Sequence, residues 1–323
     1  MRVSFAGSPE RAEARLVPAA GFELDTFSIS GIPRRPGAGL ARALVRALRS
    51  PVACLRILDR RRPDVVLGAG GYVAGPMVAA ARLRRIPAAL TEADAHFGLA
   101  NRLAAPFASR VFLAYPIEGR EGPKYRIVGR SVPRVDRVSQ EEARRRFGLP
   151  LEGRVLLVFG GSQGARAVNE AALAAFGESG PAVLHLYGGR YAAEVKERVV
   201  HADYRLLPWT DDLAGALAAC DLVFARAGGS IWEVAAAGRP AVLVPSPNVT
   251  ADHQTKNARY FEQGGGAVVL SEAEIDRTAE VVGSLLADEG RLAGMGAAML
   301  ELARPDAADV IAEELIALAR ARR

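Results

Sequence analysis

Several stretches of this chain set small residues and isolated polar groups where chemistry can be done. In Val155 to Asn169, VLLVFGGSQGARAVN, an apolar run leads into a turn of small residues and then into a helical pattern. A helix's first turn has backbone N–H groups without partners and a partial positive charge, and glycines let an anion approach with no Cβ in the way. Gly161, Ser162, Gln163 and their glycine neighbours therefore form a candidate phosphate cradle. Their spacing matches neither the G-x-G-x-x-G fingerprint nor the GK[ST] loop, and such a turn also serves purely structural ends. Asp221 to Pro240, DLVFARAGGSIWEVAAAGRP, repeats the order: strand, then Gly228-Gly229-Ser230, then a helix bearing one acid, Glu233, in an apolar stretch. A carboxylate there can accept two ribose hydroxyls beside a phosphate site, or it only complements the helix dipole. In Asn248 to Asn257, NVTADHQTKN, Asp252, Gln254 and Asn257 follow a strand and can read sugar hydroxyls, or Thr250 or Asp252 is simply an N-cap. In the first half, PDVVLGAGGYVAGP from Pro63 repeats strand, glycine turn and helix, and Thr91 to Arg102 sets Glu92, Asp94 and His96 at a strand's carboxyl end. His96 can serve as a general base if it titrates near neutrality.

The elements that carry these residues alternate along the whole chain. Apolar strand-like runs fall at residues 2–5, 65–67, 88–90, 111–114, 155–159, 183–186, 222–225 and 241–244, with helical stretches between them. That alternation predicts α/β architecture with doubly wound parallel sheets. The chain has 323 residues, 50% hydrophobic and 24% charged, which suits about two domains. Residues 128–150, with Pro133 and Pro150, lack a buried strand pattern and read as the connection. The expected division is 1–136, joined by a terminal helix at 307–323, and 137–306.

Composition narrows the function classes. No run has the length of a membrane span, and Met1 opens directly into strand-like sequence rather than a signal peptide. Cys54 and Cys220 sit apart in apolar surroundings, as reduced core residues of a cytosolic protein do. Four histidines, no C-x-x-C and no carboxylate triplet argue against a metal. The net charge of +6 is carried mostly by arginine, but only 6% of residues are aromatic and no nucleic-acid module is present, so nucleic acid is not the expected partner. Between Arg34 and Arg62 nine arginines face a single acid, Asp59, and interleave with leucines, a basic amphipathic helix that Pro51 is expected to kink or divide. Such a helix can lie on an anionic leaflet, or pack its leucines on a sheet with its arginines solvated.

Together the motifs resemble a family. GGSQGAR at Gly160 to Arg166, PDVVLGAGGYVAGP at Pro63, RAG with E-x-A-A-A-G-x-P at Arg226 to Pro240, and DHQTKNA at Asp252 to Ala258 are similar, in order and over essentially the entire chain, to the MurG family of N-acetylglucosaminyltransferases. The resemblance implies the GT-B fold, with two Rossmann-like domains facing a cleft, and inverting transfer of N-acetylglucosamine from UDP-N-acetylglucosamine to the muramyl C4 hydroxyl of undecaprenyl-linked lipid I, giving lipid II in peptidoglycan synthesis. It implies no cofactor and no metal. It also implies that Ser162 contacts the nucleotide-sugar, that the backbone near Thr210 reads uracil, that Glu233 holds the ribose and that Gln254 contacts the donor sugar. The segment Arg34 to Arg62 falls at the family's membrane-association patch, which implies a peripheral location on the cytoplasmic face of the cell membrane and contact with the anionic inner leaflet. Two departures stand out. The chain begins at what would be the family's second strand, without the G-G-T-G-G-H loop, strand and helix that open it. Its counterparts to H-E-Q-N and G-N-P-V-R are Thr91-Glu92-Ala93-Asp94 and Gly129-Arg130-Ser131-Val132-Pro133, with Arg134 one place further on. The base is therefore left open among His96, Asp94 and Glu92. A catalytically impaired UDP-sugar-binding scaffold at the membrane, or another GT-B enzyme such as an epimerase, are the alternatives.

Overall fold

The computed structural model describes residues 2–29, 38–133 and 138–322. The chain forms two compact units. One is Gly129–Ala308; the other is built from Met1–Val128 together with Asp309–Arg323.

The Gly129–Ala308 unit is one six-stranded sheet. In chain order the strands of the whole protein are β1 Ser4–Gly7, β2 Glu23–Thr26, β3 Val66–Gly68, β4 Ala88–Glu92, β5 Arg110–Leu113, β6 Tyr125–Ile127, β7 Val155–Phe159, β8 Ala182–Leu186, β9 Tyr204–Leu207, β10 Leu222–Ala225, β11 Ala241–Leu243 and β12 Ala267–Val269. β7 to β12 are all parallel in the order β12-β11-β10-β7-β8-β9. The chain starts at the centre with β7, winds outward through β8 and β9, then returns to the other side of β7 with β10. The order therefore reverses between β7 and β10, where open α/β sheets bind ligands at the carboxyl ends of their strands. β7, VLLVF, is buried at every position, because helices cover both faces of a parallel sheet. Leu156, Val158, Phe224 and Val242 of the sheet pack with Val168, Leu173 and Phe176 of the helix Arg166–Phe176.

In the other unit, β1 and β2 pair in parallel, and β3 to β6 form a separate four-stranded parallel sheet in sequential order. Its core joins Leu90, Val111 and Leu113 to Val78, Cys54, Ile57 and Leu58. The helix Ala307–Ala321 lays Val310, Ile311, Leu315 and Leu318 on Ala89, Phe112 and Val128 of this same unit, and its Glu314 accepts from Arg110 at 3.0 Å.

Pro51 does not divide the basic segment. The helix runs unbroken from Ala38 to Arg61 with Pro51 inside it. A proline there removes one backbone hydrogen bond, but the burial of Cys54, Ile57 and Leu58 just beyond it holds the second half in line. The arginines divide in role. Arg60 and Arg61 both donate to the buried Asp25 of β2 at 2.6 Å, so they tie this helix to the sheet, while Arg34 and Arg35 lie outside the described residues. Among the described residues, no helix is long and apolar enough to cross a membrane.

Candidate functional site

The glycine turns after β7 and β10 stand at the carboxyl ends of the two strands that flank the reversal of strand order. After β7, Gly161, Ser162 and Gln163 are exposed, and Gly164 N closes the turn on Gly161 O at 2.9 Å. The other side of the turn is pinned. Gly164 has φ +72°, and a Cβ there would lie 2.2 Å from Tyr187 O, so only glycine fits between the helix start and the end of β8. Ala165 precedes the helix Arg166–Phe176 and caps none of its amides with a side chain, so the positive end of that helix stands beside the exposed residues.

After β10, Gly228 O accepts from Ile231 N and Gly229 O from Trp232 N, so the turn passes straight into the helix Ile231–Ala236. The guanidinium of Arg130 lies against Gly229, where a Cβ would meet Nη1 at 2.2 Å. Glu233 stands two residues into that helix and is half-buried. Burial pushes its carboxyl above the ordinary range, and the positive charge of Arg130 partly offsets this. A carboxylate held in this state gains from hydroxyl donors brought by a ligand. Beneath it, Trp232 is 1% exposed and packs edge-on against Phe261.

Two further residues bind the neighbouring loop to this turn. Arg226 donates to Val244 O and Pro245 O at 3.1 and 3.2 Å and pairs with Glu272, so it fixes the chain leaving β11. Asn257, fully buried in the helix His253–Gln263, donates to Ala227 O at 3.2 Å. Gln254 of that helix accepts from Ser246 N at 2.9 Å through Oε1. The helix opens on two successive left-handed residues, Ala251 (φ 54°) and Asp252 (φ 51°), a strained start of the kind found at ligand sites. Ser162, Gly228, Gly229, Ser230, Glu233 and Gln254 thus all stand on one edge of the sheet. Thr210 follows β9, two strands from β7, and its hydroxyl accepts from Asp212 N at 3.0 Å. Sequence reasoning left Arg226 and Arg130 out of the site. Arg226 carried a signal in being the first residue past an apolar strand, and Arg130 one in falling within the counterpart of G-N-P-V-R, where only Arg134 was singled out.

In the Met1–Val128 unit, β4 ends in Glu92, which is 8% exposed. Its carboxylate accepts from Ala93 N (3.0 Å), Asp94 N (3.4 Å), Gly98 N (2.9 Å) and Asn101 Nδ2 (2.9 Å). Four donors hold it as the anchor of the loop Ala93–Gly98 and occupy the oxygens a base would use. Asp94 and His96 are carried half-buried on that loop. Arg134 lies outside the described residues.

The comparisons agree with this geometry. The model of the glycosyltransferase family 28 N-terminal domain matches residues 1–113, and that of the family 28 C-terminal domain matches residues 155–311. The chain belongs to glycosyltransferase family 28. Within this family it falls among MurG proteins. The UDP-N-acetylglucosamine--N-acetylmuramyl-(pentapeptide) pyrophosphoryl-undecaprenol N-acetylglucosamine transferase of Salinibacter ruber is 40% identical, over 98% of this chain and 89% of that one. The protein of the same name from Mycobacterium bovis is 39% identical over 99% and 82%. The crystal structure of Acinetobacter baumannii MurG superposes with a TM-score of 0.78 at 25% identity, covering 97% of this chain and 90% of the other. A UDP-N-acetylglucosamine 2-epimerase from Listeria monocytogenes, at 14% identity and a TM-score of 0.63, shares the fold. Two parallel-sheet α/β units are the GT-B architecture, and this family 28 chain has them, although only the six-stranded sheet is doubly wound: β3 to β6 run in sequential order and β1 pairs with β2 apart from them.

Proposed function

We propose that this chain transfers N-acetylglucosamine from UDP-N-acetylglucosamine to the muramyl C4 hydroxyl of lipid I, giving lipid II in peptidoglycan synthesis. The observation that carries the reading is the half-buried Glu233, beside an exposed glycine turn at the sheet's point of reversal, in a chain similar over nearly its full length to transferases of that name. In the reaction the acceptor oxygen bonds to the anomeric carbon while that carbon's bond to the diphosphate oxygen breaks. The hydroxyl proton passes to a base and UDP departs with the electron pair, inverting the centre without a covalent enzyme intermediate. The turn residues Gly161, Ser162 and Gln163, with the first amides of the following helix, receive the negative charge that develops on the diphosphate. Glu233 accepts the ribose hydroxyls, Gly228, Gly229 and Ser230 let the nucleotide approach the backbone, the main chain at Thr210 reads uracil, and Gln254 offers its amide nitrogen to the sugar.

On the acceptor side, residues 1–136 with 307–323 bind lipid I. Asp94 or His96 takes the proton, because Glu92 is already satisfied by its own loop. Arg134 supplies a cation to the acceptor. The segment Arg34 to Arg62 rests on the anionic cytoplasmic face of the membrane through those of its arginines that do not bind Asp25.

The full chain is expected to show a thermal shift with UDP-N-acetylglucosamine that Glu233→Ala abolishes, and to release UDP only when lipid I is present. Loss of two charge-assisted hydrogen bonds corresponds to a weakening of UDP binding on the order of a hundredfold or more. Donor turnover without acceptor would refute the transferase reading, and unchanged binding by Glu233→Ala would refute the site.

A further inference from the structure

Beneath the turn after β7 runs a line of buried polar groups that no step of the reaction uses. His185 Nδ1, on β8, is 2.8 Å from the Tyr204 hydroxyl on β9. His185 Nε2 is 3.0 Å from Oδ1 of Asn169, in the helix that follows the turn, and Asn169 Nδ2 donates to Tyr187 O at 2.8 Å. His185 is fully buried, and Asn169 and Tyr204 nearly so.

The direction of every hydrogen bond in this line is determined. Tyr187 O can only accept, so the Asn169 amide nitrogen faces it and the amide oxygen faces His185. That oxygen needs a donor, which places the imidazole proton on Nε2. Nδ1 is then a bare lone pair and receives the Tyr204 hydroxyl proton. Burial pushes the imidazole down to about 3 and the phenol up, so neither group ionises near neutrality and the order Tyr204 to His185 to Asn169 to Tyr187 O is permanent.

The last acceptor is the carbonyl against which Gly164 is pinned. Tyr187 O abuts Gly164, and a Cβ on Gly188 would meet Gly164 N at 2.4 Å. Ser162, two residues back, is on the exposed side of the same turn.

We propose that Asn169 and His185 are positioning residues for donor binding: through the Tyr187 carbonyl they set the height of the Gly161–Gly164 turn beneath the diphosphate. This rests on the donor-site reading above. A network that served only stability would lower the melting temperature when cut and leave ligand affinity alone, whereas a positioning network changes donor affinity.

The test is calorimetric titration of the full chain with UDP, together with steady-state kinetics on both substrates. Asn169→Asp keeps the side chain's shape but sets a carboxylate oxygen against Tyr187 O, which must draw away. UDP affinity is expected to fall about tenfold and donor KM to rise in step, while kcat and lipid I KM hold. Tyr204→Phe cuts the far end with the ring in place and is expected to shift UDP affinity the same way by about threefold, a readout that stands even if Asn169→Asp does not fold. Parent-like UDP affinity in the folded variants, with only the melting temperature lowered, would overturn the proposal and leave the donor site standing. Absence of UDP binding by the parent would overturn both.

Discussion

His185 makes one part of this protein acid-sensitive in a way that can be calculated. Its ordinary pKa is 6.5 and burial pushes it down to about 3 in the folded chain. A depressed folded pKa contributes stability that is fully present above 6.5 and is lost as pH falls toward 3, because the unfolded chain takes up a proton that the folded chain refuses. Each pH unit inside that window costs about 1.4 kcal/mol, so acidification from pH 7 to pH 5 removes about 2 kcal/mol from this residue alone. The chain's two tryptophans, Trp209 and Trp232, both lie in the Gly129–Ala308 unit, so tryptophan fluorescence in a urea titration reports on the unit that contains His185. His185→Gln retains a donor and an acceptor but cannot titrate. The parent is expected to lose about 2 kcal/mol more than this variant between pH 7 and pH 5, whatever the variant costs at pH 7. Carboxylates protonated over the same range affect both proteins alike and cancel in the comparison. Equal losses would show that the buried imidazole is not the source and would refute the reasoning.

Other perturbations follow from the same contacts. Gly164→Ala places a Cβ against Tyr187 O at a left-handed φ and is expected to weaken UDP binding by about tenfold or more, as titration of the variant checks. Pro51→Ala restores a hydrogen bond inside a continuous helix and is expected to stabilise the Met1–Val128 unit by about 2 kcal/mol, read by calorimetry on the whole chain. Arg144 is 4% exposed and donates to Asp221 at 2.8 Å and to Ala219 O and Leu151 O. Arg144→Met removes the main cation from a nearly buried carboxylate and is expected to cost about 3–5 kcal/mol in tryptophan-monitored unfolding.

What could be read from the residues alone divides along a physical line. β7 and β10 are called out residue for residue by their apolar runs, because a central parallel strand is covered on both faces. The four strands that escaped, β2, β6, β9 and β12, are all sheet edges. ELDT, YRI and YRLL each carry a charged residue, and AVV is three residues long beside a run of glycines, so none has the length or continuity of a buried run. The polar groups at the carboxyl edge of the six-stranded sheet stand out in the sequence for a related reason. Ser162 sits in a turn of small residues just past an apolar strand and Glu233 is the one acid in an apolar helix start, contrasts visible in one dimension. The line from Tyr204 to Tyr187 O was not legible, since its members come from two strands and a helix and meet only in the folded sheet. For Glu92 the position at a strand end could be read from the sequence, but not that its oxygens accept from its own loop and from Asn101.

The return of the helix Ala307–Ala321 to the first unit has a consequence for how the molecule is made. A ribosome emits the Met1–Val128 segment first, but the side chains that cover Ala89, Phe112 and Val128 emerge only after the whole Gly129–Ala308 unit. The Gly129–Ala308 unit, contiguous in sequence, can close its core while that earlier segment still waits with one sheet face bare. The unit begun first is completed only after the other, and a chain that stops before Leu315 would damage the Met1–Val128 unit rather than the one just made.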